Sequence, residues 1–109
     1  MKLPSDVIIP EEKFTRYLLV KRDYDDKSQF LSNGGYYLDN YKLLINHIKD
    51  MIRINDAMED KTDIYGTFYT VNGILPGTKE MSLNVSTIWL HRAIDDKFQF
   101  ITLVPLRRK

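Results

Sequence analysis

The sequence predicts an α+β fold, with two principal helices packed on one face of a three- to four-stranded antiparallel meander sheet. Three observations carry that prediction. Apolar residues recur at helical spacing before residue 63, aromatic and β-branched runs with period-two alternation follow residue 64, and the later runs are joined by short glycine-, proline- or aspartate-bearing turns. Helices first and strands afterwards, on short links, favour a sheet with its helices on one side over alternating βαβ units.

The elements follow in order. Asp6 to Ile9 is too short to be more than a strand stub. Pro10 then opens a helix over about 10–20, because proline at the first helical position gives up only an amide that would be unpaired anyway. Glu11 and Glu12 sit at the positive end of its dipole, and Phe14, Tyr17, Leu18 and Val20 mark its apolar face. Residues 21–35 read as a loop, since Asp23, Asp25, Asp26, Ser28, Ser32, Asn33, Gly34 and Gly35 compete with regular backbone structure; Gln29, Phe30 and Leu31 make one buried turn inside it. A second helix is predicted over about 40–55, with Asp39 as N-cap, a Leu38–Leu43 staple and a buried stripe of Leu44, Ile48, Met51 and Ile52. Asn55 and Asp56, followed by polar residues 59–63, end it. Strands are predicted over 64–71, 81–91 and 98–104, with turns at Gly73 with Pro76-Gly77 and at Asp95-Asp96, and Pro105 stops the last.

With 109 residues the chain has room for one core, and its 43% hydrophobic and 28% charged composition is that of an ordinary globular domain spanning 1–109. No apolar run approaches the roughly 20 residues of a membrane span, and Asp6 interrupts the start before a signal peptide could form, so the expected location is cytoplasmic, with no membrane partner. The absence of cysteine removes disulfides, thiolate zinc sites and thiol nucleophiles, and two histidines, His47 and His91, do not make an all-histidine metal site. Formal charge is +1, unevenly spread: residues 1–63 hold ten Lys/Arg against twelve Asp/Glu, residues 64–109 six against three. Half of those six are the tail residues Arg107, Arg108 and Lys109, so a phosphate-bearing partner is permitted by charge and not demanded by it.

No cofactor is implied by motif. Gly34-Gly35 is followed by two tyrosines and lacks either phosphate-loop pattern, the Asp23, Asp25, Asp26 cluster lacks the glycine and glutamate of a calcium loop, and no serine stands in a nucleophile elbow. His47 borders the apolar stripe of the second helix, which suits a partly buried ring with its tip in water. The sheet offers more. Residues two apart on a strand share a face, so Thr87, Trp89 and His91 point one way and Thr102 on the next strand stands near them. Such a face can stack a base on Trp89 and move a proton through His91, as a metal-independent ribonuclease requires; it can equally be core against the helices. Tyr36, Tyr37 and Tyr41 cluster where the loop enters the second helix and form a candidate protein-binding patch, or pack under that loop.

The segments Lys13-Phe14-Thr15-Arg16-Tyr17-Leu18-Leu19, Gly35-Tyr36-Tyr37-Leu38-Asp39-Asn40-Tyr41-Lys42-Leu43-Leu44, Tyr65-Gly66-Thr67-Phe68-Tyr69, Thr87-Ile88-Trp89-Leu90 and Ile101-Thr102-Leu103-Val104-Pro105 carry, by their order, a resemblance to a small bacterial and phage domain. Its members stand alone or at the C-termini of phage head-morphogenesis and polymorphic-toxin proteins. The resemblance implies a toxin or effector module, and the order of elements is similar to barnase, colicin and RelE-type ribonuclease folds. It suggests RNA as partner if the domain is an enzyme, or a cognate immunity protein, antitoxin or host target if it is a binding module. Two departures stand out: Lys27-Ser28-Gln29 replaces Lys-Ala-Arg before the buried Phe30, and Ser86 replaces a basic residue before Thr87. Lys27 is the cation of that pattern which remains. The expected site is therefore Lys27 holding a phosphate, His91 as acid or base, and Thr87 and Thr102 orienting the substrate. The alternative is an inactive scaffold or a phage-encoded inhibitor of a host protein.

Overall fold

Four antiparallel strands in the order β1-β2-β3-β4 form a meander, and a helical layer covers one face of it. The strands are β1 (Ala57–Asp63), β2 (Gly66–Leu75), β3 (Leu83–Arg92) and β4 (Phe98–Pro105). The computed structural model describes residues 1–24 and 26–106; Asp25 and the basic tail 107–109 lie outside the described residues. Ahead of the sheet come a π-helical turn (Phe14–Leu18), α1 (Ser28–Asn33), a 3-10 turn (Leu38–Asn40) and α2 (Tyr41–Ile54). The α+β class and the helices-then-meander order are those that the sequence predicts.

The first helix is shorter than expected. Leu19 N–H reaches back to the Phe14 carbonyl at 3.1 Å, the five-residue step of a π turn, which puts Phe14 and Leu18 into the core together. α2 carries the predicted stripe, with Leu44, Ile45, Ile48, Met51 and Ile52 buried. Asp39 does not cap it. Asn40 organises that corner instead, its Oδ1 accepting Tyr37 N–H at 2.7 Å and its Nδ2 donating to the Gly35 carbonyl at 2.9 Å. Leu38 is 48% exposed and staples nothing. The strand stub at 6–9 becomes an arm beside β4: Ile8 N–H donates to the Phe98 carbonyl and Phe100 N–H to the Ile8 carbonyl, both at 2.8 Å, in a parallel bridge.

Two sheet features differ from expectation. β1 occupies residues expected to be a polar helix end; six of its seven side chains are exposed, so no alternation marks it. Gly73 lies inside β2 rather than in a turn, and a Cβ there would stand 2.5 Å from Met51 Cγ, so the missing side chain lets α2 lie close on the strand.

Cross-strand pairs share a face. Val71, Thr87 and Leu103 face the helices, as do Trp89 and Phe100. Phe100 stacks on Phe14 at 5.1 Å and meets Trp89 edge-on at 5.3 Å, and burying each such ring stabilises the fold by roughly 1.5–3 kcal/mol. The opposite face carries Met58, Phe68, Ile74, Ile88, Leu90 and Val104, half-buried or exposed.

Candidate functional site: a basic cavity beside the last strand

Between the N-terminal helical layer and β4 lies a cavity of about 260 Å³. Lys13, Tyr17, Leu18, Arg22, Lys27, Ile101 and Thr102 line it. Each wall has a local cause. Lys13 and Tyr17 are four residues apart and so lie one above the other, while the buried Phe14 and Leu18 hold that turn against the core. Arg22 follows on the loop, its guanidinium over the Tyr17 ring at 5.1 Å. Lys27 is set by the start of α1, where Asp26 Oδ1 accepts the Ser28 hydroxyl at 2.7 Å and the Ser28 N–H at 3.0 Å. These hydrogen bonds, the hydroxyl's first, hold the Asp26 carboxyl below the usual carboxylate range. On the sheet side Ile88 faces Thr102 but Trp89 faces Phe100, so Ile101 is an extra residue in β4 and the register slips beside the cavity.

The electrostatics are one-signed. Among the described residues three cations line the cavity and no carboxylate does. Lys27 is 9% exposed, and it engages other groups of the fold. Tyr17 adds a phenol, and Thr102 borders the cavity from β4. The arrangement suits a polyoxygen anion, whose charge meets the cations while its oxygens meet the phenol.

Of the residues expected to act together, the structure brings Lys27 and Thr102 to this one cavity. Thr87 is not available to a substrate: it is 0% exposed, its Oγ1 donates to the Val71 carbonyl and accepts the Trp89 indole N–H, both at 2.9 Å. Trp89, also 0% exposed, fills the core and offers no ring to a base. His91 is outside the cavity lining. Its ring stacks on Phe98 at 4.3 Å with 7° between planes, meets Tyr69 edge-on at 6.3 Å, and points Nε2 at Asp96 Oδ1, 3.6 Å away. The sequence reading missed Lys13, Tyr17 and Arg22. The one signal available was the four-residue step from Lys13 to Tyr17 in a segment whose neighbouring positions, Phe14 and Leu18, are core.

The tyrosine cluster divides. Tyr36 is 1% exposed and belongs to an internal network: its hydroxyl sits 2.6 Å from His47 Nδ1 and accepts Gly77 N–H at 3.0 Å. The oxygen accepts from Gly77, and which partner donates in the bond to His47 is set by the imidazole tautomer. His47 is half-buried, as expected, and tied to the fold by this bond. Burial pushes the Tyr36 phenol above the ordinary tyrosine range, and the Gly77 N–H opposes that. Thr78 closes the same clasp, its N–H on the Gly34 carbonyl at 2.7 Å and its Oγ1 on the Gly35 carbonyl at 3.0 Å. Tyr37 is exposed under Lys79 Nζ, and the half-buried Tyr41 donates to Glu11 at 3.2 Å. The proposed three-ring patch is therefore reduced to Tyr37 and part of Tyr41.

Among the described residues no group of three or more His, Asp or Glu is placed to hold a metal ion, and no helix is long and apolar enough to cross a membrane. A search of curated proteins gives no match. A chain of the contact-dependent growth inhibition toxin–immunity protein complex from Klebsiella pneumoniae 342 is similar in structure, with a TM-score of 0.71 over 95% of this chain and 97% of that one. The two are 16% identical, so the likeness is one of fold. The family described as Domain of unknown function (DUF6883) matches residues 2–107, almost the full length, and the protein belongs to that family.

Proposed function

We propose that this domain is a toxin-type effector that cleaves RNA without a metal, with the basic cavity beside β4 as its working site. The observation that carries the reading is the meeting of Lys13, Arg22 and Lys27 with Thr102 in one cavity. RNA supplies its own nucleophile. The 2′-oxygen bonds to phosphorus, the P–O5′ bond breaks, and the 2′-hydroxyl proton passes through water to the departing 5′-oxygen. What the protein must add is stabilisation of the negative charge that builds on the phosphoryl oxygens, and three fixed cations in a half-enclosed site supply it. Lys13 and Arg22 also stand in for the two cations that the resembling sequences carry elsewhere, so Lys27 is not left to hold a phosphate alone. The resemblance to polymorphic-toxin and phage C-terminal domains, and the fold shared with a chain of a toxin–immunity complex, support the same reading.

The test is tightly induced expression in a bacterium with total RNA followed over time, and the purified protein assayed on RNA in EDTA. Growth arrest with RNA loss is expected. Arg22→Ala and Lys27→Ala are expected to lower the cleavage rate about 100-fold each, the scale of losing one preorganised charge-stabilising group, with unchanged thermal melting as the control for folding. Intact RNA and normal growth with wild type would sink the enzymatic reading. A second reading, a non-catalytic protein-binding module such as an immunity protein or an inhibitor, is favoured by the half-exposed apolar residues Phe68, Ile88 and Leu90 on the sheet face away from the helices. Under it the wild-type domain is harmless, and Leu90→Glu abolishes binding to its partner while the fold is kept.

A further inference from the structure

The cavity has one wall that phosphate binding does not need. Tyr17 is 47% exposed, and Arg22 lies over its ring at 5.1 Å. The guanidinium and the phenol ring lie one over the other, and both line the cavity together with Lys13, Lys27 and Thr102. At about 260 Å³ the space is just under the usual 300–1,000 Å³ of small-molecule sites, a size that suits one nucleotide rather than a stretch of helix.

We propose that the Tyr17–Arg22 pair is a stacking platform for a nucleobase, and that the ligand class of this site is single-stranded RNA, read one unpaired nucleotide at a time. This rests on the reading of the cavity as a phosphate site and adds the strand requirement to it. In an A-form duplex the phosphates lie outside while the bases stay stacked within, so a phosphate seated between Lys13 and Lys27 keeps its own base away from Tyr17. In a single strand the base turns freely, and one nucleotide meets the cations and the platform together. Stacking of this kind tolerates any base, since each has a π face, so selectivity is expected for strandedness and not for sequence.

The experiment measures binding of the full chain to a fluorescein-labelled 2′-O-methyl RNA of about eight nucleotides, a length within the usual single-strand site size and blocked against cleavage at the 2′-hydroxyl. The same oligomer annealed to its complement is the comparison. The single strand is expected to bind at least tenfold tighter than the duplex. Tyr17→Leu and Arg22→Lys are expected to erase that preference, the second while keeping the charge and losing the plane, with melting temperature as the control for folding. Equal binding of the two forms, both weakened by Lys13→Ala and by added salt, would leave the phosphate site standing and overturn the platform. Binding of neither form would overturn both. A preference that survives in Tyr17→Leu and Arg22→Lys would place the strand selectivity elsewhere and overturn the platform alone.

Discussion

Tyr36 shows how one hydroxyl can join three parts of a fold. Its ring is core, its oxygen receives the Gly77 N–H from the β2–β3 connection, and it shares a hydrogen bond with His47 on α2. Tyr36→Phe leaves that amide and that imidazole nitrogen unpaired at little change of volume, and is expected to cost about 1–3 kcal/mol in urea denaturation. The pH dependence has a definite sign. Burial raises the folded-state pKa above the unfolded value near 10, so the neutral phenol is the form that the fold favours. Its contribution is whole below the unfolded value and falls away as pH rises through the folded one. Denaturation midpoints taken from pH 8 upwards should therefore drop along an alkaline limb that is shallower in Tyr36→Phe; identical limbs would assign the loss to other groups. The same residue shows a limit of sequence reading. Tyr36, Tyr37 and Tyr41 have one composition and three environments, and nothing local distinguishes the ring that the Gly77 amide selects from the ring that faces water.

Among the elements, the glycines of β2 separate two kinds of close approach. At Gly73 an added Cβ meets Met51 Cγ and Sδ at 2.5 and 2.7 Å, atoms of a flexible side chain that can turn aside. At Gly66, where φ is +145°, it meets the His91 carbonyl oxygen at 2.0 Å, and backbone has nowhere to go. Gly66→Ala is accordingly expected to destabilise by about 3 kcal/mol or more and Gly73→Ala by about 1 kcal/mol. Urea midpoints of the two variants decide it, and the reverse order would show that α2, not the β2–β3 pairing, is the rigid partner. What the sequence made legible here follows burial. α2, β3 and β4 each bury one face and so print a period of 3.6 or 2 into the chain. β1 buries only Ala57 among its seven residues and prints nothing. Gly73 was legible as a glycine but not as a packing site, because the side chain that needs its absence is more than twenty residues away on α2. In the site, Thr102 was found from strand spacing and Lys27 from the family resemblance, whereas Lys13 and Arg22 were hidden in a helix end and a loop whose approach to β4 depends on the tertiary fold.

For the molecule as a whole, most of the sheet is built from neighbours in sequence, β1 to β2 to β3 to β4, each turn short. The arm at residues 6–9 is the exception. It attaches through two backbone hydrogen bonds at Ile8, and Lys97 Nζ reaches Asp6 at 3.4 Å across 91 positions of sequence. By the same logarithmic scaling with length, closing a loop of that size costs on the order of 4 kcal/mol in chain entropy, against roughly 0.6–1.7 kcal/mol for the hairpin connections of two to seven residues. Time therefore enters the structure. The hairpin meander can nucleate early from local contacts, and the arm is the part that must wait until β4 exists to receive it. Substitutions that weaken the arm, such as Ile8→Gly, are expected to speed unfolding and leave the folding rate within about twofold, whereas Val85→Ala in central β3 should slow folding itself; stopped-flow arms in urea separate the two. Because the arm bonds to β4 at Phe98 and Phe100, immediately before the register slip at Ile101, it and the Phe14–Phe100 stack both wait on β4, so a chain newly made or newly unfolded is expected to carry the cavity's cations before the strand that completes its lining is in place.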